Sequence, residues 1–152
     1  MLQFTYHDME TAIRLLMAAF LGGLIGLERE SHGKDAGVRT YALVSLGSAL
    51  MMIVSIQIYE VYKGVGGGVD PSRIAAQVVS GIGFLGAGAI IREHQAGGIK
   101  GLTTAAGIWA ASGIGLSCGM GLYHPAILTT IFALSILILF SKVDRFFGGK
   151  DH

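Results

Sequence analysis

The stretch "SGIGFLGAG", Ser80–Gly88, decides between two folds. Three of its glycines have the spacing G-x-G-x-x-G, which in a Rossmann fold follows a strand, opens a helix and binds a dinucleotide pyrophosphate. Here the stretch follows Asp70 and Pro71, a pair typical of a helix N-terminus. No acidic residue lies between Glu93 and Asp144 to bind a ribose. We therefore interpret these glycines as part of a helix and expect no dinucleotide site.

The composition is that of an integral membrane protein. Of the 152 residues, 52% are hydrophobic and 14% are charged, and the mean hydropathy is +0.62, whereas a soluble domain carries about 25% charged residues. Charged residues cluster and leave five apolar intervals, each near the ~20 residues that a membrane-spanning helix needs. The intervals are roughly 11–27, 40–59, 74–91, 102–122 and 124–141. We predict an all-α, polytopic protein with five transmembrane helices in a single transmembrane domain, 1–152.

The distribution of Lys and Arg predicts the orientation. Eight of the 11 lie on one side of the five helices: Arg29, Lys34, Arg39, Arg92, Lys100, Lys142, Arg145 and Lys150. The other three are Arg14, Lys63 and Arg73. Since basic loops stay in the cytoplasm, we predict an external N-terminus and a cytoplasmic C-terminus. Because Arg14 interrupts the first interval, we expect it to pair with Glu10 or to extend to the membrane interface.

Several function classes receive no support. The net charge of +1 does not suggest nucleic-acid binding. Cys118 is the one cysteine, and the five histidines are scattered, so neither a disulfide nor a zinc site is expected. No nucleophile–base pair, paired carboxylates or phosphate-binding loop suggests an enzyme or a cofactor. Whether a metal binds is left open.

Small residues four positions apart predict close helix packing in lipid. They are Gly22 and Gly26 in the first helix, Gly83 and Ala87 in the third, and Gly107, Ala111, Gly115 and Gly119 in the fourth. A heptad-spaced face from Tyr41 to Tyr62 suits packing of the second helix. We expect a tight bundle of the first four helices, a lipid-facing fifth helix and a homodimer.

The predicted cytoplasmic loop carries the first group of candidate functional residues. The segment "LERESHGKDAGVRT", Leu27–Thr40, places Glu28 and Arg29 at the end of the first helix and Arg39 at the start of the second. One interpretation is a solvated, basic loop. The other is that ion pairs shielded by the bundle fasten the first hairpin or face a cavity.

The opposite side carries a second group, Asp70, Arg73 and Gln77. Asp70 alone would be an ordinary helix cap. Arg73 and Gln77 share a helix face with Ser80, and this face runs into the bilayer. An unsatisfied amide in hydrocarbon costs several kcal/mol, so Gln77 either bonds to another helix or lines a hydrated vestibule. By contrast, we expect Thr103, Thr104 and Ser112 to bond to their own helix backbone.

Three stretches stand out by their order and spacing: "GLERESHGKDAGVRTYALVSLGSAL", "DPSRIAAQVVSGIGFLGAGAIIRE" and "GLTTAAGIWAASGIG". Through them the chain resembles the MgtC/SapB family of bacterial inner-membrane proteins. This resemblance runs from about Leu21 to Gly121. It implies five transmembrane helices, an external N-terminus and no ATP hydrolysis. The family's polar positions fall on Glu28, Arg29, Gly37, Arg39 and Thr40 in the first loop, and on Asp70, Pro71, Arg73 and Gln77 outside.

The resemblance also carries functional expectations. It implies a link to growth at low magnesium and, in a branch found in pathogens, to survival inside macrophages. Some members are thought to restrain the F-type ATP synthase, which is the partner that the resemblance suggests. Many members continue into an ACT-like cytoplasmic domain, whereas this sequence ends at His152, as a short SapB-like form or a shortened chain.

Three functions follow as hypotheses. The first is a non-enzymatic, dimeric membrane protein that supports magnesium or ion homeostasis through helix contacts with partner complexes in the bilayer. The second is a small transporter or channel with Asp70, Arg73 and Gln77 at its outer mouth and Glu28, Arg29 and Arg39 at its inner mouth. The third, a pH sensor, is disfavoured by the scatter of the histidines.

Overall fold

A computed structural model of the chain describes residues 6–64, 68–92 and 99–147. Five helices account for nearly all of them, which confirms the predicted all-helical architecture. They are α1, Tyr6–Ser31; α2, Val38–Tyr62; α3, Ser72–Gly88; α4, Leu102–Gly119; and α5, Tyr123–Phe147. A small antiparallel hairpin, β1 (Ile91–Arg92) and β2 (Ile99–Lys100), joins α3 to α4.

Two predicted helix ends were wrong. α3 stops at Gly88 rather than at 91, because Ile91 pairs with Lys100 in the hairpin. α4 stops at Gly119 rather than at 122, because Gly121 takes a positive φ of 81° that turns the chain into α5. α1 begins earlier than predicted and α5 ends later.

The fourth helix is the centre of the bundle. It packs against α1, α2, α3 and α5, and α1 also packs closely on α2. Their buried side chains form one core, which includes Ile25, Tyr41, Ile108 and Ile114. α3 lies at the edge, against α2 and α4, and Ile82 is its buried side chain.

Among the described residues, three helical segments are long and apolar enough to cross a membrane: 8–31, 38–62 and 123–141. α3 has 17 residues and α4 has 18. At ~1.5 Å per residue such helices span only about 26 Å, less than the ~30 Å hydrocarbon core. That α3 and α4 each cross the whole membrane therefore stays a prediction. The predicted orientation depends on these two crossings and stays a prediction as well.

Glycines of α1 meet the backbone and side chains of α2 directly. A Cβ added to Gly22 would lie 2.6 Å from Ser45 Cβ, and one added to Gly26 would lie 2.7 Å from Val38 Cα. Carbon atoms in ordinary contact are about 3.5–4.0 Å apart. A side chain at either position would therefore push α1 away from α2.

Glycines of α4 meet α2 in the same way. A Cβ on Gly115 would overlap the carbonyl oxygen of Ser45, and one on Gly119 would overlap that of Ala49. Gly107 lies against the ring of Tyr41, and Ala111 is fully buried. The closest approaches in the bundle are therefore those of α1 and α4 to α2.

The remaining predicted pair, Gly83 and Ala87, lies differently. Both are exposed, and a Cβ on Gly83 would meet nothing within 4 Å. Instead, Gly86 faces α4, where an added Cβ would lie 3.7 Å from Ala105 Cβ. The packing predicted for Gly83 and Ala87 within the bundle is therefore not seen among the described residues, and Gly86 makes the close contact of α3 with α4 instead.

Arg14 forms the predicted ion pair with Glu10. Its guanidinium also reaches the C-terminal end of α4, where Nη1 donates to the carbonyl oxygen of Gly119 over 2.8 Å. A cation at this position interacts favourably with the partial negative charge of the helix end. Arg14 thus joins α1 to the end of the central helix.

Candidate functional site

Two charged side chains near the end of α1 are buried. The side chains of Glu28 and Arg29 are 7% and 8% exposed, and Arg29 Nη1 lies 3.8 Å from Glu28 Oε2. Gly26 allows the start of α2 to cover this part of α1, and Gly33, at a φ of 64°, ends the helix just beyond it. Of the two interpretations of this loop, the structure supports ion pairs shielded by the bundle.

Arg29 connects α1 to the central helix. Its Nη2 donates to Thr104 Oγ1 over 3.4 Å, near the start of α4. Tyr41 of α2 donates its hydroxyl to the carbonyl oxygen of the same threonine over 3.2 Å. We call Glu28, Arg29, Tyr41 and Thr104 the buried polar cluster. Through it three helices meet at one residue.

Glu28 also meets a partly exposed side chain. His32 Nδ1 lies 3.1 Å from Glu28 Oε1 and 2.9 Å from the carbonyl oxygen of Glu28. Among the described residues, Glu28 Oε2 and Arg29 Nε have no hydrogen-bond partner. Buried charges that are incompletely bonded carry a desolvation penalty of several kcal/mol. Charged groups retained at such a cost inside an apolar bundle are candidates for function.

Arg39, the third predicted residue on this side, does not join the cluster. It is exposed on the first turn of α2. Glu30 takes the structural role at this helix start, because its Oε2 accepts a hydrogen bond from the backbone N–H of Val38 over 2.9 Å.

A cavity of about 260 Å³ lies beside the buried polar cluster. Thr104, a member of the cluster, is one of its lining residues. Its polar lining comes from Asp35, Thr40 and Thr104, and its apolar lining comes from Val44, Leu85 and Ile108. We call it the inner cavity. It lies between the predicted cytoplasmic ends of α2 and α4 and the end of α3.

At the opposite end, Asp70 bonds to Ser72, the first residue of α3. Its Oδ1 accepts hydrogen bonds from the backbone N–H of Ser72 over 2.9 Å and from the Ser72 hydroxyl over 2.7 Å. These two bonds hold the pKa of the Asp70 carboxyl below its ordinary value. The predicted N-cap was wrong: Pro71 occupies the N-cap position of α3, and Asp70 lies one residue before it.

Asp70 and Arg73 line a second cavity, of about 300 Å³, with Ser55 and Ile58 of α2. We call it the outer cavity. Ser55 joins the two helices here, because its hydroxyl donates to the carbonyl oxygen of Pro71 over 2.5 Å. Gln77 does not line this cavity, and its exposed amide has no hydrogen-bond partner among the described residues.

Sequence reasoning missed Tyr41 and Thr104 as members of the site. Tyr41 was assigned to a packing face, and the Thr104 hydroxyl was expected to bond to its own helix, whereas it accepts from Arg29. The sequence does contain a related feature, Gly107, whose missing side chain leaves the space that the Tyr41 ring occupies. The two residues are far apart in the sequence, so their contact could not be predicted from a local pattern. Within the described residues, no three His, Cys, Asp or Glu side chains come together as metal ligands.

Comparisons with known proteins agree on one family. The MgtC family matches residues 15–146. The chain is 47% identical over 144 residues to the "Putative magnesium transporter YhiD" of Escherichia coli K12, covering 94% of this chain and 66% of that protein. It is 45% identical over 140 residues to an uncharacterized protein of Haemophilus influenzae, covering 91% and 58%.

A further relative is "Protein MgtC" of Salmonella typhimurium, which is 44% identical over 145 residues, covering 95% of this chain and 56% of that protein. The chain thus spans between 56% and 66% of the length of these relatives. No solved structure matches it.

Proposed function

Because the chain belongs to the MgtC family, we propose that it is a non-enzymatic protein of the bacterial inner membrane that supports adaptation to low magnesium. It acts by contacting partner membrane complexes through its helices. The magnesium role rests on the relatives, one of which is named as a magnesium transporter. The membrane location rests on those relatives and on the three long apolar helical segments.

The outward face of α3 carries the proposal of partner contact. Ala76, Ser80, Gly83 and Ala87 follow one another at helical spacing, and all four are exposed. The Gln77 amide on the same helix is exposed and unpartnered among the described residues. In hydrocarbon such a group costs several kcal/mol until it is bonded. A helix from another protein, or from a second copy of this chain, would bond the amide and pack on the small residues.

Growth at low magnesium tests the proposal. A strain of E. coli K12 that lacks its own relative would be complemented with this chain and grown with limiting magnesium. We expect Gln77→Leu and Gly83→Leu to reduce rescue, because the first removes the unpartnered amide and the second places a large side chain among the small residues of the outward face. Gly113→Leu is the matched control, since Gly113 is an exposed glycine of α4 whose added Cβ would also meet nothing within 4 Å.

Purification in mild detergent tests the contact itself. Crosslinking and native mass spectrometry should show a homodimer or a co-purified complex, with the F-type ATP synthase as the first candidate partner. Gln77→Leu and Gly83→Leu should lower the yield of this dimer or complex, whereas Gly113→Leu should not. A strict monomer with no co-purifying protein would contradict the proposal.

A small ion or solute transporter is the second candidate. It is favoured by two cavities at opposite ends of α2 and α3 whose linings include charged side chains: Asp70 and Arg73 in the outer cavity, and Asp35 in the inner cavity. Purified protein in liposomes should then pass an ion or solute, and Asp70→Asn should abolish the flux. Absence of flux for magnesium, other cations and small solutes would remove this candidate.

A further inference from the structure

Three cavities lie in one line between α2 and α3. The outer and inner cavities flank a larger one, of about 410 Å³, that shares Val44 and Leu85 with the inner cavity. The lining residues of α2 recur every three or four positions, and so do those of α3, so one face of each helix lines all three. They are Val44, Ser48, Met51, Ser55 and Ile58 on α2, and Ile74, Val78, Ile82 and Leu85 on α3. We call this line the α2–α3 crevice.

The middle of the crevice is apolar and open to the side. Its one hydroxyl, that of Ser48, donates to the carbonyl oxygen of Val44 over 2.8 Å. Leu43 and Leu85 at its edges are 67% and 52% exposed. A Cβ added to Gly47 or Gly81, which both line it, would meet nothing within 4 Å. The missing side chains of these glycines leave room for a hydrocarbon chain.

The outer end of the crevice carries two opposite charges. Asp70 uses Oδ1 for both of its bonds to Ser72. Among the described residues, neither Asp70 Oδ2 nor the exposed Arg73 guanidinium has a hydrogen-bond or ion-pair partner. A carboxylate and a guanidinium three residues apart therefore remain available where the apolar middle begins.

We propose that the outer half of the α2–α3 crevice binds one zwitterionic phospholipid with a primary ammonium headgroup. Arg73 holds the phosphate, because guanidinium matches phosphate oxygens with paired hydrogen bonds. Asp70 accepts from the ammonium. One acyl chain lies between Met51 and Val78, in the space that Gly47 and Gly81 leave.

Two other occupants fit less well. An ion in the middle of the crevice would lie among apolar side chains, where a charge is costly. A second copy has a better surface elsewhere: at about 100° per residue, the small residues Ala76, Ser80, Gly83 and Ala87 lie on the side of α3 opposite to Ile74, Val78 and Leu85. The crevice and the outward face of α3 are therefore separate surfaces.

Native mass spectrometry of the full chain, released from nanodiscs of equal phosphatidylethanolamine, phosphatidylglycerol and phosphatidylcholine, tests the proposal. We expect one retained lipid per chain, with phosphatidylethanolamine preferred. Gly81→Leu should remove it, while Gly113→Leu, which adds the same side chain on α4, should not. Arg73→Gln and Asp70→Asn should each weaken retention about fivefold or more, and Lys63→Gln should leave it unchanged. Circular dichroism checks that each variant is helical.

Three results would overturn the proposal. They are equal retention of the three lipids, retention that survives Gly81→Leu, and a Gly81→Leu variant that loses a dimer instead of a lipid. The assay measures lipid alone and needs no magnesium role. A negative result here would leave the growth experiment on the outward face of α3 unaffected.

Discussion

At the scale of single residues, Thr104 joins the helices of the buried polar cluster. Its hydroxyl accepts from Arg29 and its carbonyl accepts from Tyr41, so α1 and α2 both bond to α4 at this one position. Neither bond could be predicted from the sequence, because residues 75 and 63 positions apart carry no local pattern. Glu28 and Arg29 could be singled out, since charges next to an apolar helix are visible in the sequence alone.

We therefore expect Thr104→Val to destabilise the protein. Valine keeps the shape but leaves the buried Arg29 Nη2 without this acceptor, which costs roughly 1–3 kcal/mol. Thermal unfolding in detergent measures the loss. Thr103→Val, at the exposed neighbouring position, is the control and should stay close to the unchanged protein. Equal stability of the two variants would show that the Arg29–Thr104 bond contributes nothing.

At the scale of elements, the five apolar intervals predicted all five helices, because length and hydropathy are local properties. The ends of α3 and α4 were wrong, since the β1–β2 hairpin and the positive φ of Gly121 depend on tertiary context. The glycine spacing likewise shows which helices can approach closely, but not which face meets which neighbour. That is why Gly115 and Gly119 lie against α2, while a Cβ added to Gly83 would meet nothing within 4 Å in the part of the chain that the structure describes.

Two glycines of α4, Gly115 and Gly113, should respond differently to replacement by alanine, because only Gly115 lies against α2. Gly115→Ala places a Cβ into the carbonyl oxygen of Ser45, so α4 must move away from α2. We expect a loss of about 1–3 kcal/mol or more in the free energy of unfolding. Gly113→Ala should be neutral or stabilising, because its Cβ meets open space and alanine is the better helix former. The reverse order of the two variants in a thermal melt would contradict the packing of α4 on α2.

The start of α3 should respond to pH. Hydrogen bonds from Ser72 lower the pKa of the Asp70 carboxyl in the folded chain, so its stabilising effect is present above the ordinary value of about 3.9. That effect is lost as the pH falls through the lower, folded value. The protection of the Ser72 amide against hydrogen exchange, measured relative to its intrinsic rate at each pH, should therefore fall in that acidic range. Asp70→Asn, whose amide oxygen can still accept hydrogen bonds from Ser72 without titrating, should remove the pH dependence.

At the scale of the whole molecule, the orientation in the membrane remains to be tested by labelling. Cys118 is fully buried, so the unaltered chain should resist a membrane-impermeant thiol reagent. In intact cells, Lys63→Cys should be labelled and Arg39→Cys should not, because the charge distribution predicts residue 63 outside and residue 39 in the cytoplasm. Disruption of the cells should expose both. The opposite pattern would invert the predicted topology.

The central place of α4 has a consequence for biogenesis. The ribosome delivers α1 and α2 well before Thr104, so Arg29 lacks this hydrogen-bond acceptor until the fourth helix arrives. In a nascent chain halted after α3, the α1–α2 hairpin would lack its packing against α4, and we expect it to be accessible to chaperones and membrane proteases. The docking of one late helix is thus the step that completes the buried polar cluster.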